Sequence, residues 1–133
     1  MLIVNSPQVA LSIEDPDVRR LVWRRFQQIT AGEVYDYDRH GELIVVEPGD
    51  TVAALEEESG CPILSNYDGA RFGDPDFWPS VEAIEDHAGC YEIVVILNDD
   101  GFGVALFIPK QLGIDPDLLA MCAKHSQPAS AVG

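Results

Sequence analysis

Residues 90–110 read CYEIVVILNDDGFGVALFIPK and carry the clearest strand pattern in the chain. Two runs rich in Val, Ile, Leu and Phe flank Asp100-Gly101, a dipeptide typical of the two-residue turn of a β-hairpin. That turn would pair side chains on one side of the hairpin as Leu97 with Val104, Val95 with Leu106, and Ile93 with Ile108. On the other side it would pair Ile96 with Ala105, and Val94 with Phe107. Because both sides are apolar, we expect the hairpin at the centre of a sheet whose two faces are covered.

Length and composition predict a single globular domain. The chain has 133 residues, 47% of them hydrophobic, which is enough to bury a core. We expect the domain to span residues 1–125 and a flexible tail to span 126–133, because that last segment is small and polar. The 23 Asp and Glu residues outnumber the 8 Lys and Arg residues and give a net charge of −15. This charge repels nucleic acid and anionic membranes, and it favours solubility, cations or basic partners.

Cysteine usage and the apolar segments predict a cytoplasmic location. The chain has 3 cysteines and no Cys-x-x-Cys pair, which argues against a disulfide framework and for a reducing compartment. The first residues are apolar, but they are too few for a signal peptide and have no basic leader. No apolar run approaches the ~18 residues of a membrane span.

Asp-Pro-Asp triplets predict where helices begin. In the triplet at 15–17, Asp15 can cap free N–H groups and Pro16 suits the first helical position. Apolar residues from Val18 to Ile29 then recur at helical spacing, and Thr30-Ala31-Gly32 is a typical helix end. The triplet at 115–117 predicts the last helix by the same reasoning.

The remaining segments complete an α+β fold. We predict an edge strand at 2–4, a hairpin of 33–37 with 42–47 that buries Val34, and a helix over 51–59. Further along we predict a short strand at 62–64 and a helix over 80–88 that ends at Gly89. The expected architecture is an antiparallel or mixed sheet of about five strands, centred on the 91–108 hairpin, with three or four helices packed on it.

The loop at 65–80 is a candidate binding site, because long irregular loops in compact domains are often functional. Its candidate binding residues are Tyr67, Asp68, Arg71, Phe72, Asp74 and Trp78. Arg71 could hold a carboxylate or phosphate beside the aromatic rings. The alternative is structural: Arg71 pairs with the neighbouring aspartates while the aromatics fasten the loop to the core.

Charged residues on two predicted helices form a candidate interaction surface. They are Arg19, Arg20, Arg24, Glu56 and Glu57. The arginines could contact an acidic partner or a second copy of the chain, or pair with the domain's own carboxylates. We expect direct nucleic-acid binding to be weak, since four arginines on one helix oppose a net charge of −15.

No motif predicts a metal site, a cofactor or a catalytic group. His87 and Cys90 form a His-x-x-Cys pair that Cys61 or Asp86 could join, but a structural zinc site needs four well-spaced ligands. The aspartates near residue 74 do not match a calcium-binding EF-hand loop. The chain also lacks a Gly-x-Ser-x-Gly elbow and a phosphate-binding glycine loop.

Two functional hypotheses follow. The first is a non-catalytic cytoplasmic interaction module, of an inhibitor, immunity or regulatory kind, that engages a basic protein partner. The second is a small-molecule domain that binds an anion, or a minor enzyme, with its pocket at the 65–80 loop. An exposed edge strand leaves room for a homodimer under either hypothesis.

Overall fold

The computed structural model describes residues 1–59, 80–96 and 103–128. Its helices are α1 (Pro7–Leu11), α2 (Pro16–Thr30), α3 (Tyr37–His40), α4 (Val52–Ser59) and α5 (Pro116–His125). Its strands are β1 (Leu2–Val4), β2 (Glu42–Val45), β3 (Ser80–His87), β4 (Cys90–Ile96), β5 (Gly103–Pro109) and β6 (Gln127–Pro128). None of the helices in the described ranges is both long and apolar enough to cross a membrane.

One mixed sheet contains all these strands in the order β1-β2-β5-β4-β3-β6. β2 is parallel to β5 and β3 is parallel to β6, while the other neighbours are antiparallel. β4 and β5 lie in the middle of this order, which confirms the predicted α+β fold centred on the 91–108 hairpin. β1 is at one edge, as predicted for residues 2–4. The two-residue β6, which falls in the segment predicted as a tail, is at the other edge.

The register of the central hairpin differs from the predicted one by two residues. Val95 lies opposite Val104 and Ile93 lies opposite Leu106, and the last pair is Ile96 with Gly103. The predicted Asp100-Gly101 loop falls within 97–102, which lie outside the described residues. A shift of two residues leaves every side chain on its predicted face, because side chains alternate with a period of two.

The sheet has a separate apolar core on each face. On one face, Leu43 and Phe107 of the sheet pack with Val22 and Phe26 of α2, and Ala10 brings α1 to the same side. On the opposite face, Ile93 and Leu106 pack with Leu55 of α4 and Leu118 of α5. The prediction that both sides of the central hairpin are covered is therefore confirmed.

The predicted helix starts at the Asp-Pro-Asp triplets 15–17 and 115–117 are confirmed, whereas a third such triplet, at 74–76, lies outside the described residues. The Asp15 carboxylate accepts hydrogen bonds from the backbone N–H groups of Asp17 and Val18 at 2.9 and 3.3 Å. α2 ends at Thr30, and the C-cap residue Ala31 adopts the left-handed conformation with φ of 49°. Asp115 caps α5 through the N–H of Asp117 in the same way. These helix starts depend on capping hydrogen bonds between residues two or three apart, so they can be predicted from the local sequence.

The predicted hairpin of 33–37 with 42–47 is wrong. Asp36 caps the short helix α3 by accepting a hydrogen bond from the Asp38 N–H. β2 pairs with β1 and with β5 instead of with residues 33–37. Val34, which was expected in the core, is 91% exposed because it is not part of a strand.

The predicted helix over 80–88 is also wrong, since this segment is the strand β3. It pairs along its length with β4, with an irregularity between Val81 and Ala83. Gly89 does not end a helix but lies in the turn between β3 and β4 with φ of 87°. The pairing with the strongly strand-forming β4 outweighs the local helical pattern, as tertiary context commonly does for short segments.

Candidate functional site

The candidate binding residues of the 65–80 loop lie outside the described residues. This applies to Tyr67, Asp68, Arg71, Phe72, Asp74 and Trp78. The predicted strand at 62–64 and Cys61 also lie outside them. The hypothesis of a pocket at this loop therefore stays a prediction.

The charged residues of the predicted interaction surface lie on opposite faces of the sheet. Arg19, Arg20 and Arg24 belong to α2, whereas Glu56 and Glu57 belong to α4. The Arg19 guanidinium donates a hydrogen bond to the Ile13 carbonyl at 2.9 Å. Arg20 pairs with Asp17 at 3.5 Å on the exposed side of the helix. The structure therefore does not bring the five residues together in one patch.

A groove of about 440 Å³ opens at the end of the sheet where the parallel strands β2 and β5 finish. Its ionisable lining residues are Glu14, Asp15 and Glu47, and we call it the acidic groove. Its apolar lining residues are Leu2, Ile13, Val18, Val45, Val46, Pro48 and Pro109. The carboxyl ends of parallel strands are a common place for ligand sites, because the chain must leave the sheet there and a crevice results.

The three carboxylates of the acidic groove differ in whether they already bind other groups of the protein. Asp15 is used as the cap of α2. Glu47 lies 3.0 Å from the amino group of Met1, which also contacts Asp50 at 2.9 Å. Burial by itself would lower the pKa of that amino group, but the hydrogen bonds that it donates to Asp50 and Glu47 raise its pKa above the usual value. Glu14 is exposed at the rim.

A second polar cluster lies on the face of the sheet that α2 covers. It consists of Glu85, His87, Glu92 and Arg25, and we call it the Glu92 cluster. Glu92 is only 2% exposed, and its Oε2 accepts a hydrogen bond from Arg25 Nε at 2.8 Å and forms an ion pair with Nη2 at 2.8 Å. Its Oε1 lies 3.0 Å from His87 Nε2, and the same nitrogen lies 3.3 Å from Glu85 Oε2. The buried carboxylate thus has a cation on one oxygen and an imidazole on the other.

Strand register explains why these side chains meet. Glu85 lies directly opposite Glu92 in the β3–β4 ladder, and His87 lies two residues along on the same face. A Glu-x-His pair shares one face of a strand but diverges by about 200° around a helix. The Glu-x-His spacing is therefore visible in the sequence. It was missed because residues 80–88 were predicted to form a helix, in which the two side chains would not share a face.

His87 does not form the predicted site with Cys90. Among the described residues, the group with metal-binding geometry is Glu85, His87 and Glu92, without Cys90. Cys90 is fully buried, and burial raises the pKa of its thiol to about 12. Burial has the same effect on Cys122, whose thiol also has a pKa of about 12. Thiols with such pKa values carry almost no thiolate at neutral pH and are poor nucleophiles and ligands.

A smaller cavity of about 170 Å³ lies between α2, α3 and the sheet, and its polar lining residues include Arg25, His40 and Glu42. Within the described part of the chain, His40 Nε2 and Glu42 Oε1 are buried without a hydrogen-bond partner. Burial and then the nearby Glu58 carboxylate raise the pKa of Glu42 to about 7. Both atoms are almost inaccessible to solvent, and His40 Nε2 lies 3.8 Å from a Glu33 carboxylate oxygen.

Comparison with protein-family models, with curated proteins and with solved structures finds no match for this chain.

Proposed function

We propose that this protein is a non-catalytic interaction module that binds a basic segment of a partner protein in the acidic groove. The observation that carries the proposal is the composition of the groove, whose ionisable lining residues are all carboxylates around an apolar floor. A cytoplasmic inhibitor, immunity protein or regulatory subunit is the class of protein that fits this role. The two described cysteines support a reducing compartment, because they are free and lie in separate cores.

A lysine or arginine side chain has the shape and polarity that the groove requires. Its aliphatic stem can lie along Leu2 and Pro48, while its charged end reaches Glu14 at the rim or shares Glu47 with the amino group of Met1. An anion fits less well, even though the N-terminus of α2 opens here. Helix N-termini attract anions through free N–H groups, but Asp15 already accepts hydrogen bonds from the two nearest ones.

The protein's own cations leave this negative field largely in place. Seven of its eight Lys and Arg residues lie in the described ranges, and five of those seven contact the protein's own oxygen atoms. The five are Arg19, Arg20, Arg25, Arg39 and Lys110. A domain of net charge −15 then attracts a basic partner at long range and repels nucleic acid.

The test compares two variants that have the same change in net charge. For each variant we measure the affinity for a basic peptide. A fluorescein-labelled peptide of alternating Arg and Ala is titrated with each protein at an ionic strength of about 0.15 M, and binding is followed by fluorescence polarisation. The groove variant is Glu14→Gln/Glu47→Gln. We expect its affinity to fall about tenfold, since two partly exposed ion pairs together contribute about 1.4 kcal/mol.

The matched control is Glu56→Gln/Glu57→Gln, which removes two carboxylates from α4 on the other face of the sheet. We expect its affinity to stay within about twofold of the original protein, because well-separated exposed charges are screened by salt. An equal loss in both variants would mean that net charge alone attracts the peptide. A loss confined to the α4 variant would move the site to that helix. Either result would overturn the assignment to the acidic groove.

A further inference from the structure

We propose that Glu85, His87 and Glu92 form a binding site for a divalent transition-metal ion such as Zn²⁺ or Co²⁺. The site is independent of the acidic groove, so the two proposals can fail separately. Each residue offers one ligand atom, and the three atoms lie within 4.8 Å of one another.

The spacing of the donor atoms fits a metal ion. An ion bound at about 2.0–2.1 Å to each ligand in tetrahedral geometry holds its donor atoms about 3.3 Å apart. His87 Nε2 lies 3.3 Å from Glu85 Oε2 and 3.0 Å from Glu92 Oε1. Small side-chain movements would therefore suffice to place the three donors around one ion.

Arg25 prepares Glu92 for this role. Its Nε and Nη2 both bind Glu92 Oε2, which leaves Oε1 as the oxygen that faces His87. Groups that bind the far side of a ligating side chain orient it and are typical of metal sites in proteins. With a neutral imidazole, the two carboxylates and Arg25 leave a net charge of −1 at the site, which favours a cation over the empty state.

The ligand set indicates the kind of metal. One imidazole and two carboxylates suit Zn²⁺, Co²⁺ and related ions, whereas Mg²⁺ and Ca²⁺ prefer oxygen ligands alone. Glu85 is 43% exposed while Glu92 is buried, so the ion would enter from the Glu85 side. Three protein ligands leave further positions for water or for a side chain of another molecule.

The competing explanation for the short distances in this cluster is that His87 carries an additional proton and no metal ion binds. A charged His87 imidazolium would then bridge Glu85 and Glu92 as a structural ion pair. The two explanations differ in whether added metal binds, and in whether that binding needs the imidazole.

The protein is first treated with EDTA and dialysed. It is then titrated with Co²⁺, whose binding is measured by the visible absorption of the bound ion, and in a separate experiment with Zn²⁺, whose binding is measured by calorimetry. We expect one ion per chain. The His87→Ala variant should lose about 100-fold or more in affinity, since even outer-shell partners of a ligand contribute 10–100-fold. Glu85→Gln should lose at least about tenfold while keeping the metal-free melting temperature, because Glu85 is half-exposed and supports little of the fold.

The matched controls are His125→Ala, which removes another histidine, and Glu57→Gln, which removes an exposed carboxylate elsewhere. Both should bind the ion as tightly as the original protein does. The proposal is overturned if the original protein takes up no ion. It is equally overturned if Glu85→Gln and His87→Ala bind as tightly as the controls.

Discussion

Glu42 is a buried carboxyl group whose protonation should make stability depend on pH. Its side chain is 7% exposed, and burial followed by repulsion from Glu58 raises its pKa from 4.5 to about 7. The folded protein therefore holds a proton on Glu42 that the unfolded chain releases at lower pH. Its contribution to stability is fully present below pH 4.5 and is lost as the pH rises towards 7.

We expect Glu42→Gln to remove this dependence. A glutamine has nearly the same shape and no charge, so the variant should gain stability relative to the original protein as the pH rises from 4.5 to 8. The gain should approach about 3 kcal/mol, since each unit of pKa corresponds to about 1.4 kcal/mol. The measurement is urea unfolding of both proteins across this range. A constant difference between them would contradict the raised pKa.

At the scale of elements, the start of the parallel β2–β5 pair depends on a glycine. Gly41 has φ of 81°, and a Cβ atom built on it would collide with the carbonyl oxygen of Gly103. Both the backbone conformation and the lack of space therefore exclude a side chain. β2 begins at the next residue and pairs Glu42 with Val104, so the close contact of Gly41 with Gly103 lies at the start of the parallel pair.

We expect Gly41→Ala to destabilise the protein by at least about 2 kcal/mol, as strain and overpacking add. Gly49→Ala is the matched control, because Gly49 also has a positive φ but has open space around its Cα. The control should cost only about 1 kcal/mol, from backbone strain alone. Thermal and urea unfolding of both variants measure the difference. Equal losses would mean that the approach of Gly41 to Gly103 is not close.

Elements with local signals were predictable from the sequence, whereas elements defined by long-range pairing were not. α2 and α5 begin where the Asp-Pro-Asp triplets predict, because each cap lies within three residues of the groups it binds. β3 reads as a helix by itself and becomes a strand only through its pairing with β4. β2 was placed correctly as a strand, but its parallel partner β5 lies about sixty residues away in the chain.

On the scale of the whole molecule, the candidate sites were also hard to predict, because each is formed by residues that are far apart in the sequence. The acidic groove joins Leu2, Glu14, Glu47 and Pro109, which are distant in sequence and meet only because β1, β2 and β5 are neighbours. The net charge favours a basic partner as a hypothesis, but it does not indicate where on the surface such a partner would bind. The Glu92 cluster needed the β3–β4 register in addition, since Arg25 comes from a helix far earlier in the chain.

The central claim is that basic segments bind in the acidic groove, and amide chemical-shift mapping tests it most directly. ¹⁵N-labelled protein is titrated with the unlabelled peptide of alternating Arg and Ala, and every resolved backbone amide is followed. We predict that the largest shifts will cluster at groove residues such as Leu2, Glu14, Val46 and Gln111. Shifts centred on α4, or small shifts spread evenly over the charged surface, would contradict the claim.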